Sequence, residues 1–212
     1  MNRRLVIAVA VYFICIMADV CAPIPSFGVD GPYTGRIVEL ETGEPIERAV
    51  VAACWGLEYT NGWKTCCKET ITDKSGEFEV PAAMCITTFI PSVLHSPRVV
   101  IFKPGYLGYP PIKTKKSLYT GVQFDKEHRH NVIKLDKAIT LSERSETLHK
   151  ATSLSFISSE SKNEPKKVIF ERELPHLFQL TKQEEEYLKK EWEQIRKEQE
   201  QIVVPVPPAL TR

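Results

Sequence analysis

Thr72-Asp73-Lys74-Ser75-Gly76-Glu77-Phe78-Glu79-Val80-Pro81 is a polar turn followed at once by a strict alternation of acidic and apolar residues. The side chains of Asp73 and Ser75 can hydrogen-bond nearby backbone amides, and Gly76 can adopt the positive φ that closes a tight turn. Beyond the turn Phe78 and Val80 share one face, because side chains of an extended chain alternate with a period of two. The stretch predicts a β-hairpin whose second strand buries both of these side chains.

Strands are also predicted before and after this turn. In the stretch 46–57, the side chains of Ala49, Val51, Ala53 and Trp55 share one face, and such a mixture of small and bulky residues is typical of a β-sandwich core. The predicted strands are 34–40, 46–57, 65–72, 77–80, 98–103 and 131–135, and residues 82–97 are predicted to be a loop that crosses between the sheets.

Several short motifs occur in a characteristic order along this part of the chain. They are Gly35 to Leu40, Thr42-Gly43-Glu44-Pro45-Ile46, Ala49-Val50-Val51, the decapeptide at 72–81, and Phe102-Lys103-Pro104-Gly105-Tyr106. Together they resemble the carboxypeptidase regulatory-like domain, a transthyretin-like β-sandwich, in the form found in small exported bacterial proteins. The resemblance covers residues 32–138. It implies a mainly-β, Greek-key sandwich of about seven strands with no catalytic machinery of its own.

The N-terminus has the layout of a secretion signal. Arg3 and Arg4 precede an apolar run from Leu5 to Ala18, which is shorter than the roughly 20 residues that span a bilayer. We expect residues 1–28 to be a cleaved signal peptide, with an uncleaved membrane anchor as the alternative. The protein is then exported, to the periplasm or cell envelope.

Cys21 is a candidate for lipidation, as in bacterial lipoproteins. The preceding residues, Asp19 and Val20, depart from the usual lipoprotein pattern. Removal or simple retention of the segment is therefore favoured over a lipid at Cys21.

Four cysteines lie in the exported part of the chain: Cys54, Cys66, Cys67 and Cys85. An oxidising compartment favours disulfides between them, and four thiols allow three connectivities. The adjacent Cys66 and Cys67 point to opposite faces of a strand, so at most one of them faces the core. A zinc site is disfavoured because no Cys-x-x-Cys pair occurs in the sequence.

The composition changes after the last predicted strand. Residues 139–180 are predicted to contain a short helix at 141–150 and then a linker rich in Ser and Lys. A capping box at Thr181-Lys182-Gln183-Glu184 predicts an amphipathic helix over 181–202, followed by a Pro-rich tail at 203–212. The apolar seam of this helix is Leu188, Trp192 and Ile195, which we expect to dock on the sandwich; binding to a partner protein is the alternative.

Catalytic chemistry has one candidate constellation. His128 and His130 share a face of an extended chain, and together with Tyr106 and Tyr109 they are similar to the ferric ligands of intradiol ring-cleaving dioxygenases. The pattern around His128 lacks the apolar residue that those enzymes carry between the two histidines, so a metal role is disfavoured. The sequence also contains no Gly-x-Ser-x-Gly hydrolase motif.

The charge pattern argues against nucleic acid as a partner. The 28 Lys and Arg residues are interleaved with 27 Asp and Glu residues, and no basic stripe with spaced aromatics emerges. The expected function is therefore a non-catalytic binding or structural accessory module without a cofactor. The alternatives are the iron-dependent dioxygenase and a protein-interaction adaptor that uses the C-terminal helix.

Overall fold

The computed structural model describes residues 26–59, 62–87, 92–109, 130–153 and 165–202. The strands in these ranges are β1 (Ser26–Asp30), β2 (Tyr33–Glu39), β3 (Val50–Tyr59), β4 (Gly62–Ile71), β5 (Glu77–Val80), β6 (Ala83–Thr87), β7 (Ser92–Leu94), β8 (Arg98–Phe102) and β9 (His130–Leu135). The helices are α1 (Leu141–Thr152), α2 (Lys166–Glu173) and α3 (Pro175–Ile202). The prediction of a mainly-β fold with a C-terminal helix is confirmed, and these nine strands exceed the number that the resemblance implied.

Two sheets make the β-sandwich. In the first sheet β2 lies between β5, which is antiparallel to it, and β9, which is parallel to it. In the second sheet β3 pairs with β4 on one side and with β7 and β8 along successive parts of the other side. Strands β1 and β6 form a separate antiparallel ribbon. The chain therefore passes from one sheet to the other between β2 and β3, between β4 and β5, between β5 and β7 by way of β6, and between β8 and β9.

The core lies between the two sheets, and the predicted core face of β3 is buried in it. Trp55 is the largest fully buried side chain, and its indole N–H donates to the carboxylate of Asp30 at 2.8 Å. Apolar side chains from β5, β8 and β9 complete the packing. The buried members of this core are Tyr33, Ile37, Ile46, Ala49, Val51, Ala53, Trp55, Leu57, Phe78, Val80, Ala83, Cys85, Val99, Ile101, Ile133 and Leu135.

The turn at 73–76 has the predicted geometry. Oδ1 of Asp73 accepts hydrogen bonds from the backbone N–H groups of Ser75 (2.8 Å) and Glu77 (2.9 Å), and from the Ser75 hydroxyl. These bonds, with the Ser75 hydroxyl contributing most, hold the pKa of Asp73 below its usual value. Gly76 has φ +77°, and a Cβ there would lie 2.4 Å from the carbonyl oxygen of Ile37. Both the conformation and the space therefore require glycine.

The hairpin predicted around this turn is wrong. β4 pairs with β3, whereas β5 pairs with β2 in the opposite sheet. The backbone N–H of Ile37 donates to the carbonyl of Gly76 at 2.8 Å, which starts the new pairing directly at the turn. The turn thus transfers the chain between sheets, and Phe78 and Val80 reach the core from the side opposite β3.

The loop predicted at 82–97 is also corrected, because it contains two short strands. β6 pairs with β1, and β7 continues the edge of β3 beyond β8. Each strand has three to five residues, so the apolar residues here are too few to show a clear period.

A second apolar cluster lies on the outer face of the β3 sheet. The alternate side chains of β3 and β8 that point away from the sandwich core are buried beneath the three helices. The buried members of this cluster are Val50, Ala52, Cys54, Cys67, Val100, Phe102, Ala151, Ile169, Phe170, Leu174 and Leu177. The β3 sheet is therefore covered on both faces, which explains why β3 and β8 are almost continuously apolar.

The long helix begins at Pro175, six residues before the predicted start. Proline suits the first helical position, where its missing N–H has no intrahelical partner. Thr181 lies inside the helix, and its hydroxyl donates to the carbonyl of Phe178 at 2.9 Å. Thr181 and Glu184 are both buried, so the capping box predicted there is wrong.

Candidate binding cleft between the helices

A capping box sets the start of α1. The Thr140 hydroxyl accepts from the backbone N–H of Glu143 at 3.1 Å, and the Glu143 carboxylate accepts from the backbone N–H groups of Ile139 (2.9 Å) and Thr140 (3.0 Å). The hydrogen bond from the Thr140 backbone is the largest cause that lowers the pKa of Glu143. The predicted short helix at 141–150 is confirmed, and it runs on to Thr152.

A carboxylate of the sheet fixes the start of α3. Glu69 lies on β4, and its two carboxylate oxygens accept hydrogen bonds from the backbone N–H groups of His176 (2.6 Å) and Leu177 (3.0 Å). These N–H groups lie in the first helical turn and have no partner within the helix. A negative charge at the N-terminus also stabilises the helix, because it faces the positive end of the helix dipole. Glu69 therefore supplies the cap from a strand more than a hundred residues away in sequence.

An ion pair ties α1 to α3. Arg144 donates from Nε to Oε1 of Glu184 at 2.6 Å and from Nη2 to Oε2 at 2.7 Å, in a bidentate geometry. The Glu184 side chain is only 3% exposed. The Arg144 guanidinium also lies 3.9 Å from the ring centroid of Tyr187. The hydrogen bonds to Glu184 are the largest cause that raises the pKa of Arg144, which favours the charged guanidinium.

Residues of the three helices line a cleft that is open to solvent and has a volume of about 370 Å³. Each helix contributes one apolar side chain to its lining: Leu148 from α1, Phe170 from α2 and Phe178 from α3. The rings of Phe170 and Phe178 meet edge to face with centroids 5.6 Å apart. The same rings also pack on the second cluster, so the position of the cleft is fixed by the docking of the helices on the sheet.

Polar groups surround this apolar lining. Each helix again contributes one basic side chain: His149 from α1, Lys167 from α2 and Lys182 from α3. Glu185 is the carboxylate residue of the lining, and it accepts a hydrogen bond from Lys182 at 2.5 Å. Hydroxyl groups come from Ser145, Thr152 and Thr181. A cleft of this size, with an apolar lining and a few polar groups, is suited to binding a small molecule or a side chain of a partner.

The residues proposed as ferric ligands are not brought together. Tyr106 donates to Glu39 Oε2 at 3.4 Å near the C-terminal end of β9, since Glu39 is the register partner of Leu135. His130 lies at the other end of β9, opposite Thr34. These positions are five residue steps apart along β9, which is about 16 Å. Tyr106 and His130 therefore cannot share one metal ion in this fold.

The other members of that set give the same result. Nε2 of His130 lies 3.6 Å from Oε2 of Glu77, and Tyr109 packs against the sandwich core. Burial is the largest cause that raises the pKa of Tyr106, which favours the neutral phenol. His128 lies outside the described residues. Within the five described ranges, no group of three His, Cys, Asp or Glu side chains is placed to hold a metal ion.

The four cysteines form two disulfides, Cys54–Cys67 and Cys66–Cys85. Cys54 and Cys67 are direct register partners on β3 and β4, and both lie in the cluster beneath the helices. Cys66 points the other way, packs on the sandwich core and bonds to Cys85 of β6. The predicted opposite orientation of Cys66 and Cys67 is confirmed. The disulfides indicate folding in an oxidising environment.

The apolar seam of α3 is only partly buried. Leu188 is buried, Ile195 is partly exposed and Trp192 is 50% exposed. Docking of the helix itself is carried by residues upstream of the seam, among them Leu174 and Leu177. The predicted seam therefore lies at the end of the docked part of α3 and not at its centre.

Predictions for the two termini lie outside the described residues, as do residues 154–164 of the predicted linker. This applies to the signal peptide at 1–28 up to the start of β1, to Cys21, and to the tail at 203–212. The later part of that predicted linker is helical instead, in α2 and the first turns of α3. Among the helices that the structure describes, none combines the length and apolar character needed to cross a bilayer.

Sequence analysis did not identify Glu69, Arg144 or the cleft. Glu69 is an ordinary polar position of a strand, and no local pattern marks it as the cap of a distant helix. The spacing of Thr181 and Glu184 suggested a cap, whereas the buried ion pair is the actual role of Glu184. Comparison of the chain with models of protein families, with curated proteins and with solved structures found no match.

Proposed function

We propose that this protein is an exported, non-catalytic binding module of the cell envelope, and that the cleft between the three helices is its binding site. The observation that carries the proposal is the cleft itself, to which every helix contributes an apolar and a basic side chain. The resemblance to the carboxypeptidase regulatory-like domain is part of the proposal and rests on the sequence motifs alone.

Export is supported by two independent features of the chain. The disulfides need an oxidising compartment, and the apolar run after Arg3 and Arg4 has the layout of a signal peptide. Each disulfide closes a short loop, of separation 13 for Cys54–Cys67 and 19 for Cys66–Cys85. A loop of this size contributes about 3 kcal/mol in the chain-entropy account. The periplasm or the envelope surface is the address that we propose.

The binding role is tested by filling the cleft. Ser145 is exposed and lines the cleft, whereas Ser142 is exposed on the same helix and does not. We expect native mass spectrometry of protein recovered from the envelope to show a bound small molecule in the wild type and in Ser142→Trp. The bound molecule should be absent from the mass spectrum of Ser145→Trp, because the indole would fill the cleft. Equal occupancy of both variants, or no bound species in the wild type, would contradict the proposal.

The non-catalytic role is tested against the dioxygenase. A tyrosinate–iron site absorbs visible light, so the wild type should stay colourless after aerobic loading with ferric iron. Elemental analysis should find no retained iron. A coloured, iron-containing protein whose colour is lost on Tyr106→Phe would overturn the non-catalytic assignment.

Capture of a protein partner by α3 is a second candidate function, favoured by the 50% exposure of Trp192. A photo-crosslinking residue at position 192 should then form one discrete adduct in the envelope, and the same residue at exposed position 186 should not. Absence of an adduct at 192 would remove this candidate.

A further inference from the structure

We propose that the cleft prefers a small organic acid, in which an apolar body carries a carboxylate. This inference rests on the proposed function, because it names the ligand class of the same site. The apolar body would occupy the lining formed by Leu148, Phe170 and Phe178. The carboxylate would lie at the rim of the cleft, which is defined here by the charged side chains Lys167, Lys182 and Glu185.

The charges at the rim carry the preference. Lys167 and Lys182 extend from different helices, so they can approach one anion from two sides. The ammonium group of Lys182 already donates a hydrogen bond to Glu185, so these two opposite charges offset each other. Among the lining residues that the structure describes, Lys167 then supplies the remaining positive charge. The rim therefore complements an anion better than it complements a cation.

The helix that carries Lys167 adds to this preference. The first turn of α2 contains no acidic residue, and its N-cap Pro165 makes no side-chain hydrogen bond. The positive end of the helix dipole is thus not neutralised by carboxylates of that turn. A ligand carboxylate near Lys167 would meet both the ammonium group and this end of the helix.

Phe170 and Phe178 give the cleft a defined shape for the apolar part. Their edge-to-face contact at 5.6 Å is held by packing on the sheet, and the Thr181 hydroxyl is already bonded to the Phe178 carbonyl. The apolar surface therefore exists before a ligand arrives, and binding needs no rearrangement of these rings.

The test uses three ligands with the same ten-carbon chain and different head groups. Decanoate, 1-decanol and decyltrimethylammonium are titrated into the oxidised protein by calorimetry at neutral pH, below their micellar concentrations. We expect decanoate to bind at least about tenfold more tightly than decyltrimethylammonium, with decanol between them.

Two pairs of variants locate the effect. The double variant Lys167→Ala/Lys182→Ala should weaken decanoate binding by about tenfold, because each exposed ion pair accounts for about a threefold change. The control Lys189→Ala/Lys190→Ala removes the same charge from exposed positions outside the cleft and should bind as the wild type does. Ser145→Trp should abolish binding of all three ligands, and Ser142→Trp should not.

The outcomes separate this inference from the proposed function. If the three ligands bind equally and Ser145→Trp abolishes their binding, the anion preference is wrong and the cleft remains a binding site. If decanoate binds but Ser145→Trp has no effect, the cleft is not the site and both proposals fail. If decanoate does not bind to the wild type, the ligand class is wrong, and the native mass spectrum alone decides the proposed function.

Discussion

The ion pair between Arg144 and Glu184 should be the main polar link between the first and the last helix. We predict that Glu184→Gln destabilises the protein although it preserves the shape of the side chain. The amide cannot accept both hydrogen bonds of the guanidinium, and its NH₂ group would face a donor of Arg144. The cation would then lose the partner that compensates for its partial burial.

The size of the effect follows from the burial of the two groups. Removing one partner of a buried ion pair costs about 3 to 5 kcal/mol. The Glu184 side chain is 3% exposed, but that of Arg144 is 19% exposed and stacks on Tyr187. Arg144 can therefore recover part of its hydration, which reduces the expected loss to about 2 kcal/mol. With a urea dependence of about 2 kcal/mol per molar, the denaturation midpoint should fall by about 1 M.

Urea denaturation of the oxidised protein, followed by circular dichroism at 222 nm, measures this shift because the signal reports the helices. Glu186→Gln is the control, since Glu186 is exposed on the same helix, and it should change stability by less than about 0.5 kcal/mol. The double variant Arg144→Met/Glu184→Leu should recover to within about 1 kcal/mol of the wild type, because an apolar pair of similar volume carries no desolvation cost. A midpoint for Glu184→Gln equal to that of Glu186→Gln would refute the role of this ion pair.

Three further predictions concern the turn and the helix cap. Gly76→Ala should lower the free energy of unfolding by more than about 2 kcal/mol, measured by thermal or urea denaturation. The loss should exceed that of Gly43→Ala, because both glycines have positive φ but of the two only Gly76 leaves no space for a Cβ. Equal losses would contradict the close contact. Glu69→Ala should lower the free energy of unfolding by about 1 kcal/mol, because the helix loses its cap. The control Glu79→Ala, at an exposed position, should lower it by less than about 0.5 kcal/mol. Equal unfolding midpoints of the two variants would refute the cap. Because the folded-state pKa of Asp73 lies below its unfolded value, its charge stabilises the fold above about pH 4, and this stabilisation is lost as the pH falls through the folded-state pKa. The difference in melting temperature between the wild type and Asp73→Asn should therefore shrink on acidification from pH 7 to 3; a constant difference would argue against the shift.

The turn at 73–76 shows how far local sequence information reaches. Asp73 and Gly76 determine their own hydrogen bonds and backbone angles, so the turn was predictable. The partner of the following strand depends on contacts with Ile37, which lies far away in sequence. The alternation of polar and apolar residues predicted that Phe78 faces a core. It contained no information on which of the two sheets the strand that carries Phe78 would join.

Two stretches with the same spacing of threonine and glutamate make the same point for helices. Thr140 and Glu143 form a capping box, whereas Thr181 and Glu184 lie within a helix that starts earlier. The start at Pro175 depends on Glu69, which only the folded sheet brings to the helix. Local pattern therefore identified the kind of element, and tertiary contacts determined where it begins.

The covering of the β3 sheet on both faces had a visible indication in the sequence. Val50 to Trp55 is apolar without interruption, as expected for a strand buried on both sides. The cleft had no such indication, because its lining is spread over Ser145 to Glu185 and three helices. Only the docking of these helices on the sheet brings the lining together.

The intact mass of the protein recovered from the cell envelope, before and after reduction, tests the proposed export most directly. The account predicts loss of the N-terminal segment and a gain of two hydrogens for each of the two disulfides on reduction. Cys54→Ser/Cys67→Ser should keep one disulfide, while Cys54→Ser/Cys66→Ser should keep none, because Cys67 and Cys85 lie on opposite sides of the sheet. A full-length mass that does not change on reduction would contradict export and the disulfide-linked sandwich together.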